Sequence, residues 1–204
     1  MSLVHPRKLK VLKDLDHGLN ASIAYKCSLV GVNLEGADLS GHDLRGANFT
    51  NSNLRGANLS NGNFRGCTFI RCDFSRADLH KADFTDCEMT GSDFTGAYMK
   101  ATIFLRTVAQ ACLFRRITAK NTLFIGSDLR KSDFHQAELL GARFDGAKMD
   151  RVRNLHTAQF EWWLSPWGGM HSYEPRPGWT RIDSSTLGDM SFQENAAREL
   201  GEVK

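Results

Sequence analysis

The chain has 204 residues, 41% of them hydrophobic, and a formal net charge of +3 at pH 7. That length suits one domain with appendages; no apolar run is long enough to span a bilayer, and no charged-then-apolar signal segment opens the sequence, so the cytoplasm is the expected compartment. The charge distribution excludes a single-sign nucleic-acid binder, since five Lys/Arg face two Asp in 1–26, 15 basic residues face 14 acidic ones in 27–150, and six face seven in 151–204.

Residues 1–26 read as an N-terminal cap. Pro6 to Leu19 is basic and carries Leu9, Leu12, Leu15 and Leu19, the spacing of a short helix or strand lid. Arg7, Lys8, Lys10 and Lys13 are a weak argument for direct nucleic-acid contact, because a short basic stretch is usually solvated.

From Leu29 to Met149 a large apolar residue or an alanine stands at every fifth position, 25 centres in all: eleven Phe, nine Leu, three Met and two Ala. Neither the helical period of 3.6 nor the strand period of 2 accounts for a strict period of five. With the centre called i, position i−2 is small (Ala37, Ala47, Ser52, Ala57, Cys67, Cys72, Ala77), i−1 is Asn or Asp (Asn33, Asp38, Asn48, Asn58, Asp73, Asp78), and i+2 begins as glycine (Gly31, Gly36, Gly41, Gly46). Asn, Asp and Gly are turn formers. The chain is therefore expected to turn a corner every five residues, with i and i−2 inward and the other three outward. Four corners close a square of about twenty residues, and squares stack at roughly 4.8 Å, the spacing between paired strands.

Sorting the centres by twenty tests that square. Leu44, Phe64, Phe84, Phe104, Phe124 and Phe144 fall in one column, and Leu34, Leu54, Phe74, Phe94, Phe114 and Phe134 in the opposite one. The phenylalanines segregate onto two facing walls, where their rings would stack along the axis.

The triplets Ala37-Asp38-Leu39, Ala47-Asn48-Phe49, Ala57-Asn58-Leu59, Ala77-Asp78-Leu79 and Ala82-Asp83-Phe84 resemble the A(D/N)LXX motif of the pentapeptide repeat family. The resemblance covers about 60% of the chain, residues 27–150. It implies an all-β solenoid, a right-handed quadrilateral β-helix of about six coils, hence a rod roughly 30 Å long. It also implies a binding scaffold rather than an enzyme, and a two-fold homodimer formed through a C-terminal element.

No catalytic, metal-binding or cofactor motif emerges. Cys27, Cys67, Cys72, Cys87 and Cys112 all occupy i−2, where cysteine serves as a small buried hydrophobe. His42 takes the same inward slot, and Gly62, one coil on, is expected to vacate the space it needs.

The frame holds between 98 and 125, but its grammar loosens. Ala109 and Ala119 replace bulky centres; Ile117 is expected to refill the space beside Ala119, while a thinner or bent coil is expected at Ala109. Outward positions become apolar: Ile103 and Leu105 flank Phe104, with Leu123 and Ile125 directly above, and Tyr98, Val108 and Leu113 lie on other faces. An aliphatic square on a polar rod is a candidate contact patch for the C-terminal segment, a second protomer or a different protein.

Residues 151–204 read as a C-terminal cap. They hold Trp162, Trp163, Trp167 and Trp179, which either line a lid on the last coil or form a second candidate contact surface. Phe192, Ala196 and Leu200 give Ser191 to Leu200 one helical stripe.

The function expected is a non-catalytic protein-binding scaffold, its partner unidentified, with no cofactor and no membrane contact. The alternative comes from one branch of the resembling family, the fluoroquinolone-resistance proteins of the Qnr type, thought to mimic duplex DNA and bind gyrase or topoisomerase IV. The local candidate for mimicry is Asp73, Asp78, Asp83, Asp86, Glu88 and Asp93, among which Arg71, Arg76 and Lys81 intervene and which spread over all four walls.

Overall fold

The computed structural model describes residues 27–164, 170–171 and 180–183. The cap expected over 1–26 and the helix expected over 191–200 lie outside the described residues.

Residues at i−1 bridge, in parallel, to residues twenty later, from Ser28↔Asn48 without interruption to Asp133↔Arg153. Each repeat makes three such inter-coil bonds. Leu34 N–H donates to Asn53 O (2.7 Å) and Gly36 N–H to Arg55 O (2.9 Å), while Asn53 N–H donates back to Val32 O (3.0 Å). The four sides of a coil are too short for extended strands, so its pairing consists of isolated bridges, one on each side between corners.

The corners share one geometry. The carbonyl of the centre accepts from the N–H three residues on, as Leu34 O does from Ala37 (3.0 Å). The residue at i+2, third in that turn, has positive φ in every repeat from Gly31 (67°) to Arg151 (57°), which is where a type II turn demands it. Arg71, Arg76, Lys81, Ala101, Arg106 and Ala111 hold this conformation with φ of 53–59°, although it costs a side-chain-bearing residue about 1–2 kcal/mol. Ladder bonds from the same residues hold them there, Arg71 N–H donating to Thr90 O at 3.0 Å.

The Asn or Asp at i−1 completes the corner. Its Oδ1 accepts the N–H of i+1, as Asp38 does from Ser40 (3.0 Å), Asn48 from Thr50 (2.9 Å) and Asp83 from Thr85 (2.8 Å). At i−2, a hydroxyl or thiol reaches the centre carbonyl of the coil beneath: Ser52 to Leu29 O (2.7 Å), Thr102 to Leu79 O (2.7 Å), Cys67 to Leu44 O (3.0 Å). Ser52 Oγ also accepts from Val32 N–H (3.0 Å), so one hydroxyl braces the turn below. Buried polar groups are thus paired, as an interior requires.

Phenylalanines fill the bore. Along one wall Phe64, Phe84, Phe104, Phe124 and Phe144 stack at 4.9–5.3 Å, and along the opposite wall Phe74, Phe94, Phe114 and Phe134 stack at 4.8–5.0 Å. The walls meet edge to face, Phe94 to Phe104 at 6.1 Å and 86°. Each fully buried ring is worth about 1.5–3 kcal/mol. Ile117 is buried beside Ala119.

Two local expectations are corrected. The coil at Ala109 is neither thin nor bent in its ladder, since Met89 N–H meets Val108 O at 2.7 Å and Ala109 N–H meets Asp128 O at 2.8 Å. The space left by Gly62 belongs to Phe64, whose Cε2 lies 2.4 Å from where a Cβ would stand. His42 is half-buried with Nδ1 3.0 Å from Ser40 O.

Stacking continues past residue 150. Asn154 adopts φ 59°, a 3-10 turn follows at Leu155–Thr157, and the register slips by one to Glu138↔Gln159. Leu155 and Phe160 are buried as the next centres. The spacing of five between them, with Ala158-Gln159-Phe160 as a displaced triplet, is the signal in the sequence for this coil. Beyond it, β1 (Glu161–Leu164), β2 (Met170–His171) and β3 (Thr180–Asp183) form an antiparallel sheet ordered β2-β1-β3.

Gly62→Ala should force the Phe64 ring out of its stack and destabilise the rod by about 1–3 kcal/mol. Urea unfolding followed by circular dichroism checks this; an unchanged midpoint would show that the ring accommodates the methyl.

Candidate functional site

The wall carrying Phe84, Phe104 and Phe124 brings the aliphatic square together. Ile103 bridges Leu123; Leu105 and Ile125 follow the two phenylalanines, and all four are half-buried. Asp83 and Thr85 occupy the equivalent positions one coil below, and Arg143 and Asp145, joined at 3.1 Å, one coil above. Tyr98, Val108 and Leu113 lie on the other three walls, and Tyr98, 39% exposed, meets the His80 ring edge to face at 5.8 Å.

The square coincides with a change in hydrogen bonding. From Tyr98 through Ile103, Val108, Leu113, Thr118 and Leu123, six successive i−1 positions lack Asn and Asp. Among the described residues, the i+1 N–H groups of these repeats, including those of Leu105 and Ile125, have no acceptor, whereas both carbonyls are used: Leu105 O by Asp86 N–H (2.9 Å) and Ile125 O by Arg106 N–H (3.0 Å). The feature was open to sequence reading as an interruption of the Asx positions; the donors themselves were not.

The acidic candidates are dispersed rather than gathered. Asp73, Asp78, Asp83, Glu88 and Asp93 each accept the N–H of the residue two positions on, at 2.8–3.1 Å. Only Asp73 and Asp93 stack directly. Asp83 lies 3.7 Å from Arg65, and Asp86 is paired with Arg106 at 2.7 Å; that guanidinium holds the Asp86 carboxyl below its ordinary pKa.

Of the tryptophans, Trp162 and Trp163 lie in β1, paired with Ile182 and Arg181. Trp167 and Trp179 lie outside the described residues.

Asp133 ties the top of the rod. Its side chain is 1% exposed and accepts from Arg115 (2.8 Å), Asn154 (2.9 Å) and the His135 N–H (3.0 Å). Burial pushes its pKa up, but the bonds from Asn154, Arg115 and His135 outweigh that and hold it below the ordinary carboxylate value. The five cysteines are free thiols. Burial pushes Cys67, Cys72 and Cys112 up to about 12 and Cys87 higher still, which leaves no nucleophilic thiolate near neutrality. Among the described residues, no cluster of His, Cys, Asp or Glu is arranged to hold a metal ion, and no helix is long and apolar enough to cross a membrane.

Parallel coils of twenty residues with a phenylalanine bore define the class, a right-handed quadrilateral β-helix. The chain belongs to the pentapeptide repeat family, whose model matches residues 27–66, 58–96 and 112–153, more than half of its length. It is similar to QnrB1, a plasmid-mediated fluoroquinolone resistance protein. A trypsin-treated variant of that protein is 25% identical with a TM-score of 0.51, over 62% of this chain and 68% of that one. Full-length QnrB1 is 24% identical with a TM-score of 0.53, over 67% and 76%. HetL, involved in heterocyst differentiation regulation in the cyanobacterium Nostoc, is 19% identical with a TM-score of 0.45, over 67% and 88%. No curated protein matches the chain.

Two outcomes follow from the ionisable groups. Iodoacetamide at pH 8 should leave Cys67, Cys72, Cys87 and Cys112 unmodified in the folded chain and label them after unfolding in urea, read by mass spectrometry. Asp133→Asn should destabilise by about 1–3 kcal/mol at pH 7. Because the folded pKa is lowered, the carboxylate stabilises fully above its unfolded value near 4 and loses that contribution as pH falls through the folded value. The gap between wild type and variant should therefore close below about pH 4; a gap constant down to pH 2 would contradict it.

Proposed function

We propose that this chain is a non-catalytic scaffold that binds another protein through Ile103, Leu105, Leu123 and Ile125. The observation that carries the reading is the stacking of four aliphatic side chains on two adjacent coils of one wall, where the coil below offers Asp83 and Thr85 and the coil above the Arg143–Asp145 pair. Buried centres explain every fifth residue; the side chains at these four outward positions neither fill the bore nor cap a corner, and an apolar patch on a polar rod favours a partner. The aromatic tail, with Trp162, Trp163, Trp167 and Trp179, is proposed as a second contact, and a homodimer through the C-terminal segment belongs to the same reading. The cytoplasm is the proposed compartment.

A second reading is supported by the likeness to QnrB1: modulation of a type II topoisomerase through mimicry of DNA. It ranks lower because the acidic candidates Asp73, Asp78, Asp83, Asp86, Glu88 and Asp93 are engaged at corners and in ion pairs, and Arg71, Arg76 and Lys81 alternate with them.

Affinity capture from the native host with the wild-type chain and the Leu105→Lys/Ile125→Lys variant decides between them. Both substitutions are outward, so circular dichroism should be unchanged while the captured proteins are lost. Equal capture by both chains would remove the square as the contact. Topoisomerase subunits among the captured proteins, with altered gyrase supercoiling, would favour the second reading.

A further inference from the structure

We infer that the segment docking on the aliphatic square carries a carboxylate between apolar side chains, and that this carboxylate accepts the backbone N–H groups of Leu105 and Ile125. The inference rests on the docking reading above and adds the chemistry of the partner.

The wall itself names the group. In its first three coils the i+1 N–H is met from outside by the chain's own side chain at i−1: Arg45 by Asp43 and Arg65 by Asn63, both at 3.4 Å, and Thr85 by Asp83 at 2.8 Å. In the next two coils Ile103 and Leu123 take the place of that acceptor. The N–H groups of Leu105 and Ile125 keep the same position in the repeat, and neither has an acceptor among the described residues. Two donors one coil apart, about 4.8 Å, therefore sit among four aliphatic side chains. A partner that covered them with apolar surface alone would strand both, at about 1–3 kcal/mol each.

The occupant must supply acceptors and need supply no donors, because the carbonyls of Leu105 and Ile125 already accept from Asp86 and Arg106. That favours a group of acceptors alone over simple addition of a β-strand, which presents both kinds of group. It also disfavours a second copy of this face, which would set donors against donors. A carboxylate has two oxygens, no donor, and sites enough for both N–H groups; Asp83 plays the corresponding role for one donor one coil below. The expected partner segment is aliphatic–acidic–aliphatic, and it restores from outside the corner cap that the sequence omits.

The test deletes the donors, keeps Ile103 and Leu123, and leaves an apolar ring at 105 and 125. Leu105 and Ile125 are second residues of turns whose third residues, Arg106 and Gly126, have φ of 53° and 66°, and proline is favoured at that second position. Leu105→Pro/Ile125→Pro removes two unpaired N–H groups and no ladder bond. The full 15N-labelled chain is titrated with acetyl-Leu-Glu-Leu-amide, acetyl-Leu-Ala-Leu-amide and acetyl-Leu-Lys-Leu-amide. The Glu peptide should move the Leu105 and Ile125 amide protons downfield, the other two should not, and the proline variant should bind it about ten- to a hundredfold more weakly. Should the proline chain not fold, Ile103→Asp/Leu123→Asp serves in its place; it should show the same downfield shifts without peptide and lose the Glu peptide. Equal shifts with all three peptides, or wild-type affinity in the proline variant, overturns the carboxylate. If Leu105→Lys/Ile125→Lys also retains wild-type capture, the docking reading falls with it; if only that variant loses capture, the reading stands without the carboxylate. A wild-type dimer in sedimentation that the lysine variant dissociates would give the face to a second copy and overturn the proposal.

Discussion

Everything in this molecule depends on a backbone ladder with a fixed step of twenty residues. Each side of a coil is too short to be a strand in its own right, so no side is stable except against the coils above and below it. The step leaves no freedom in register: a shift of one residue would turn an inward phenylalanine outward, as with any strand pairing. Where the chain gains a residue, after Arg153, the ladder survives only because a 3-10 turn at Leu155–Thr157 takes up the excess before Gln159 pairs with Glu138.

The side chains divide the work of holding that step. Phenylalanine stacks fill the bore, and their spacing of 4.7–5.3 Å follows the spacing of the coils. Residues at i−2 are small because they share the interior with those rings, and where they are Ser, Thr or Cys they close a hydrogen bond to the coil beneath. Where Asn or Asp stands at i−1, it satisfies the outermost N–H of its corner. The cysteines are thereby structural members, and most of the acidic residues are capping groups, which is why the acid count of the repeat block conveys so little about a DNA-like charge.

Against that division, residues 98–125 stand apart. At i−1 their side chains are β-branched, aliphatic or aromatic instead of Asn or Asp, so their corners lack the capping carboxylate or carboxamide. On the walls of Ala109 and Phe114 the change occurs once, and on the wall of Met99 and Ala119 it occurs in two adjacent coils, at Tyr98 and Thr118. On the wall of Phe104 and Phe124 it also occurs in two adjacent coils, and of these two walls only this one is aliphatic at i+1 as well, with Leu105 and Ile125 where the other has Lys100 and Lys120. The fold tolerates it without a break in the ladder, because the capping bond is additional to the three inter-coil bonds each repeat makes.

The sequence by itself determined the four-sided coil. A strict period of five cannot be satisfied by a helix or a flat strand, and the segregation of phenylalanines at period twenty leaves one way to close the square. It also placed Ile103, Leu105, Leu123 and Ile125 on one face, since outward positions twenty apart must stack. Other features were decided by tertiary structure. That Phe64, and not His42, takes the room beside Gly62 depends on the path of a ring between coils. That the coil at Ala109 keeps its spacing depends on backbone bonds from neighbours twenty residues away in either direction. The seventh stretch of coil, ending at Phe160, was hidden by a single inserted residue that a left-handed Asn154 absorbs. The donors of Leu105 and Ile125 became visible only when each corner's hydrogen bonds could be traced, because residue type records which side chain is missing and not which backbone group is left facing the surface.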